Sequence, residues 1–118
     1  WPISWTKISK TNSSLIGQGT FVNNNVTVNA LSKIGDNVIL NTGCIVEHEC
    51  IINDSAHIAP GAVLAGNVTI GTRSFIGSNA VIKNGLTIGK DVVVGAGCVV
   101  LNDVGDGEII VGNPGKII

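Results

Sequence analysis

The sequence predicts an all-β chain wound as a parallel β-helix of about five coils, and three observations predict it. Every sixth residue from Ile16 to Val100 is Ile, Leu or Val, without a gap. Four residues after each of these rungs stands a second, generally smaller position, beginning Thr20, Val26, Ser32, Val38 and Cys44. Gly and Asn recur between them, with Gly directly after the rung at Gly17, Gly35, Gly71, Gly77, Gly89 and Gly95. A period of six matches neither the 3.6 of a helix nor the 2 of a simple strand. It fits a short strand, a bend and another short strand. The rung and the fourth residue after it point inward, and Gly or Asn, which tolerate positive φ, turn the corner. Three such hexads make one coil, so residues eighteen apart stack, and each coil adds roughly 4.8 Å, the spacing of paired strands.

Residues 1–15 break the frame, with Ser4 and Lys10 standing where rungs would continue. Ile8 and Leu15 read as an irregular first coil, or as the remnant of a linker to a further domain. Trp1 and Trp5 are expected to cap the open end of the prism, because an exposed coil end needs apolar cover, the alternative being that they pack on a further domain. A start at Trp1 rather than Met reads as a chain cut from something longer.

Residues 16–105 carry the ladder without an insertion. Any pocket must therefore come from corner residues, a neighbouring subunit or chain outside this segment. Val63, Val81, Val93 and Val99 occupy outward strand positions where solvent would favour polar side chains. Such a face is expected to bury itself against copies of the chain, and a triangular prism favours a closed homotrimer. In residues 106–118, the run Glu108–Val111 reads as a last extended segment, ended by Gly112-Asn113-Pro114-Gly115. It is expected to cross the final coil and close that end.

A net charge of −1, with no basic run and no aromatic interleaving, argues against nucleic acid as a partner. No apolar run reaches membrane-spanning length, which argues against insertion in a bilayer. Cys44, Cys50 and Cys98 all fall on inward positions and read as small buried thiols. Their odd number, and the three coils between Cys44 and Cys98, disfavour a disulfide and point to a reducing, cytoplasmic setting.

Both histidines of the chain fall in one segment, VEHECIINDSAH, residues 46–57. His48 stands at a corner and His57 on an outward strand position half a coil later. The plain reading is two solvated surface histidines. Against it stand the adjacent carboxylates and the column Ala30, His48, Gly66, Asn84, Asn102, in which the residue stacked on His48 has no side chain. An imidazole titrates near neutral pH and can take a proton from an amine or a hydroxyl. A carboxylate, Glu49 or its competitor Glu47, could hold the other ring nitrogen. The Gly66 N–H could face the oxygen that turns negative when a thioester is attacked. A second corner column reads Thr42, Pro60, Ser78, Ala96, all compact, along which a thin extended ligand could lie. Metal-dependent hydration would need three histidines, where the chain has two, so no metal is expected. A Cys50 nucleophile is disfavoured by its inward position.

The runs NTGCIVEHECIINDSAHIAPGAVLAGNVTIG (residues 41–71) and SFIGSNAVIKNGLTIGKDVVVGAGCVVLNDV (residues 74–104), with the closing VGNPGK, resemble one family of bacterial sugar acetyltransferases. These are the sialic acid O-acetyltransferases and the UDP-4-amino-sugar N-acetyltransferases. The resemblance implies a left-handed β-helix, a homotrimer with sites between adjacent subunits, and direct acetyl transfer from acetyl-CoA to an amino group or hydroxyl of a surface-glycan sugar. It places the family's catalytic histidine on His48 and its orienting acid on Glu49. The acetyl-CoA contacts fall on His57, Gly66, Ser78 and Ala96. Lys83, Lys90, Arg73 and Lys116 are candidates for the cofactor's phosphates. Family members usually carry a sugar-nucleotide-binding domain ahead of the coil, which this sequence does not include. The alternative is a non-catalytic trimerisation module of a larger protein.

Overall fold

The computed structural model describes residues 9–10 and 14–118, so the expectations placed on Trp1, Ser4, Trp5 and Ile8 lie outside the described residues. The strands are two residues long, except the three-residue Ile109–Val111, and fall into three sheets, one per face of a triangular prism, whose pairings are parallel apart from the last. The first face stacks Ser9–Lys10, Thr27–Val28, Ile45–Val46, Val63–Leu64, Val81–Ile82 and Val99–Val100. The second stacks Leu15–Ile16, Lys33–Ile34, Ile51–Ile52, Thr69–Ile70 and Thr87–Ile88. The third begins at Phe21–Val22 and runs through Ile39–Leu40, His57–Ile58, Phe75–Ile76 and Val93–Val94. Each strand pairs with the one eighteen residues on, as in Thr27↔Ile45 and Ile45↔Val63. That register follows from the hexad, because a slip of one residue would turn every rung outward.

Inside the prism, each rung from Val28 to Val100 is buried, as are the smaller inward residues from Val26 to Ala80. Among the described residues, polar side chains enter this interior where the backbone receives them. Ser32 Oγ donates to Glu47 O at 2.8 Å and accepts from Cys50 N, and Ser74 Oγ accepts from Val92 N at 3.0 Å. Hydroxyls so paired avoid the penalty of unmade hydrogen bonds.

The corners depart from the sequence reading in one respect. Positive φ falls on the third residue after the rung, at Asn25, Asn37, Asn67 and Asn79 and at Gly19, Gly43, Gly61, Gly85 and Gly97. The glycine directly after the rung is required by close approach instead. A Cβ at Gly71 would run into the backbone of Gly89 and Lys90, and one at Gly77 would come within 2.6 Å of Ala96 N.

Both ends also differ from expectation. Ser9–Lys10 continues the first face, paired with Thr27–Val28, although residue 10 is a lysine. Ile109–Val111 does not cross the last coil. It joins the third face in parallel with Val93–Val94, and Lys116–Ile117 folds back antiparallel onto it. The Val93↔Ile109 offset is sixteen residues, because the last turn is cut short, and Ile110 is buried as one more rung.

Candidate functional site

His48 and Glu49 are the two turn residues between the inward Val46 and Cys50. The turn is clamped from both sides: Glu49 N–H donates to Ala30 O at 2.9 Å, and Asn67 N–H donates to His48 O at 2.8 Å. Glu49 takes φ 60°, a conformation that Asn or Gly supplies at most other corners. An extended side chain in this left-handed region costs about 1 kcal/mol. The conformation brings Glu49 Oε1 within 3.2 Å of His48 Nδ1, with both side chains more than half exposed. Glu47, the competing carboxylate, is engaged elsewhere, its Oε2 accepting from Asn29 Nδ2 at 2.8 Å.

On the next coil Gly66 lies under the ring. A Cβ there would overlap His48 Nε2 and come within 2.6 Å of Cε1. The glycine is thus needed to seat the imidazole. Its N–H donates to no acceptor among the described residues, while its carbonyl receives Gly85 N–H at 3.0 Å. With a carboxylate at Nδ1, the ring proton belongs on Nδ1 and the lone pair on Nε2, at the end beside Gly66.

On the second face, against Glu49, lies a cleft of about 380 Å³ lined by Leu15, Leu31, Lys33, Glu49, Ile51 and Asn67. Sequence reasoning missed it. The available signal was Leu31, which stands at a corner position, with φ 62°, where Gly and Asn prevail.

The remaining predicted residues gather elsewhere. His57 lies on the third face, opposite the His48 corner, and its strand leads into the corner that carries Thr42, Pro60, Ser78 and Ala96. Its Nε2 is 3.3 Å from Asn41 Nδ2, and its ring meets Phe75 edge-on at 5.0 Å. Burial lowers its pKa from the ordinary value. One chain therefore keeps the predicted residues in two separate groups: His48, Glu49 and Gly66 at one corner, and His57 on the third face with Ser78 and Ala96 at the corner that follows it.

Of the candidate cations, Arg73 is committed to Asp91 through a two-pronged ion pair of 2.8 and 3.0 Å. Lys83, Lys90 and Lys116 are exposed. Cys50 is fully buried, donates to Ala65 O at 3.4 Å and has its pKa raised by burial. Among the described residues no three His, Cys, Asp or Glu side chains converge as a metal site would require, and no helix is long and apolar enough to cross a membrane.

Comparison with known proteins adds a second line of observation. The sequence pattern of the bacterial transferase hexapeptide family (six repeats) matches residues 31–66 and 49–84. That of the hexapeptide repeat of succinyl-transferase matches residues 67–102. No match is found among curated proteins compared by sequence. Among solved structures, the chain is similar to PerB from Caulobacter crescentus, solved in complex with CoA and GDP-perosamine. The two share 41% identity and a TM-score of 0.93, over 94% of this chain and 54% of that one. It is similar to the acetyltransferase domain of PglB from Neisseria gonorrhoeae, solved with acetyl coenzyme A. Here identity is 40% and the TM-score 0.93, over 94% of this chain and 54% of that one. It also resembles WeeI from Acinetobacter baumannii, at 32% identity and a TM-score of 0.70, over 92% of this chain and 57% of that one. The chain thus spans just over half the length of the structures it matches.

Proposed function

Because this chain belongs to the bacterial hexapeptide-repeat transferases, we propose that it forms the catalytic coil of a sugar acetyltransferase. It would move the acetyl group of acetyl-CoA to an amino group or hydroxyl of a bacterial surface-glycan sugar. The observation that carries this reading is the seating of His48, with Glu49 at Nδ1 and the bare Gly66 against the Nε2 end. The presence of CoA or acetyl-CoA in the complexes of the similar proteins supports the choice of donor.

In this reading His48 Nε2 takes the proton of the acceptor amine or hydroxyl as its lone pair forms a bond to the thioester carbonyl carbon. The Gly66 N–H, which donates to no acceptor among the described residues, donates to the oxygen that becomes negative. Collapse breaks the carbon–sulfur bond, and the proton held on His48 passes to the departing thiolate. The products are the acetylated sugar and free CoA. Glu49 keeps the ring in the required tautomer and steadies its charged form.

The same reading calls for a homotrimer. His57 on the third face, and Ser78 and Ala96 at the corner beyond it, lie away from the His48 corner, so a cofactor touching both groups must lie between two copies. The exposed Ile39, Phe75, Val81 and Val93 supply apolar faces for that contact.

The test is an acetyl-transfer assay of the full-length enzyme against a panel of UDP-amino sugars and sialic acids. Transfer to one acceptor class, lost in His48→Ala with the oligomer intact, is the expected result. Unchanged turnover in His48→Ala would overturn the assignment. Absence of acetyl-CoA binding by calorimetry would favour a purely structural coil.

A further inference from the structure

Asn41 sits where it decides the state of His57. Its Oδ1 accepts the Thr42 N–H at 2.8 Å, and a main-chain N–H can only donate, so the orientation of the amide is fixed. Asn23, one coil away, donates from Nδ2 to the same oxygen at 3.2 Å. The other end of the Asn41 amide, Nδ2, is thereby turned to His57 Nε2 at 3.3 Å. An amide nitrogen brings hydrogens and no available lone pair. His57 Nε2 must then accept, and the proton of the neutral ring must lie on Nδ1.

Phe75 meets the ring edge-on, at 83° between planes, and restricts its rotation. Asn41 and Phe75, which meet the ring through a hydrogen bond and an edge contact, carry no charge, so neither offers a partner to an imidazolium. The Nδ1–H meets no acceptor among the described residues.

We propose that the Asn23–Asn41 amide pair is a positioning device that locks His57 as its Nδ1–H tautomer, so that the ring donates a hydrogen bond to a carbonyl of the acyl-thioester arm. His57 cannot then act as a base, because its accepting nitrogen is already covered. The two histidines are set to opposite tasks by what faces them: a carboxylate at Nδ1 of His48, an amide N–H at Nε2 of His57. The carbonyl partner rests on the acetyl-CoA reading above; the tautomer does not.

The experiment is long-range proton–nitrogen NMR on the ¹⁵N-histidine-labelled chain near neutral pH, joined to kinetics of the full-length enzyme. In the wild type, His57 should show a protonated Nδ1 and a bare Nε2. Asn41→Asp, nearly the same shape, puts a carboxylate oxygen against Nε2 and should move the proton there. The KM for acetyl-CoA should rise about tenfold, the loss of one ordinary hydrogen bond, with kcat unchanged. Asn41→Ala should leave a mixture of tautomers. A proton on Nε2 in the wild type, or no movement in Asn41→Asp, would overturn the lock. A moved proton with unchanged KM would overturn the donor role. A locked tautomer in an enzyme that transfers no acetyl group would defeat the function reading instead.

Discussion

The imidazole of His48 occupies the space where a Cβ of residue 66, one coil away, would stand. Because His48 is more than half exposed, its ring can swing aside. Gly66→Ala should therefore fold almost normally, within about 0.5 kcal/mol of the wild type. The displaced ring loses its contact with Glu49 and its aim, and transfer should fall by about 10²-fold. Denaturant midpoints and kcat/KM measured on one preparation check both halves. A variant that is unstable yet active per folded molecule would contradict the seating argument.

Gly71→Ala is the converse case. Its Cβ would meet backbone, the carbonyl group of Gly89 and the nitrogen of Lys90, which cannot rotate away. The coil spacing must open locally, and such overpacking costs about 1–3 kcal/mol. Stability should drop by that amount in urea titrations. The specific activity of whatever folds should stay near wild type, because residue 71 lies on a different corner from His48.

The contrast between these glycines shows what the sequence could and could not disclose. The period of six is a local signal, so the inward rungs and the pairing of residues eighteen apart were legible, and with them the stacking of Gly66 on His48. Which glycine turns the corner was not, because Gly71 is constrained by the neighbouring coil and the left-handed φ falls elsewhere. Spacing alone favoured Glu49 but left Glu47 as a competitor. Their roles separate only through Asn29, which reaches Glu47 from the coil below. The final strand was misplaced because its sixteen-residue offset depends on a shortened turn rather than on any repeat. Asn41 was overlooked because its significance lies in a fixed amide orientation, which a residue name does not carry.

The thiols make a prediction about pH. Burial pushes Cys44 up from an ordinary value of 9.0 to about 12, and raises Cys50 and Cys98 as well. Thiolate is the reactive form, so iodoacetamide at pH 8 should leave the native chain unmodified and label all three cysteines after unfolding. The unfolded chain sheds these protons at lower pH than the folded one. Their stabilising contribution is therefore complete below about pH 9 and is lost as pH climbs toward 12. Urea midpoints should fall across that window, and a Cys44→Ala variant should fall less steeply. Rapid labelling of Cys50 in the native protein would reopen the case for a cysteine nucleophile.

Glu49 should reveal a conflict between stability and chemistry. Its φ of 60° suits Asn, which stands at the stacked position 67 with φ 62°. Glu49→Asn relieves the left-handed strain and should raise the unfolding free energy by about 0.5–1 kcal/mol. The shorter, uncharged amide can neither steady a protonated His48 nor hold its tautomer through Nδ1, so kcat should fall by about 10²-fold. Glu49→Gln separates the two effects, because it keeps the length and the strain while removing the charge. It should lose activity to a similar degree without gaining stability. A stable, fully active Glu49→Asn enzyme would mean that the 3.2 Å contact between Glu49 and His48 has no part in the reaction.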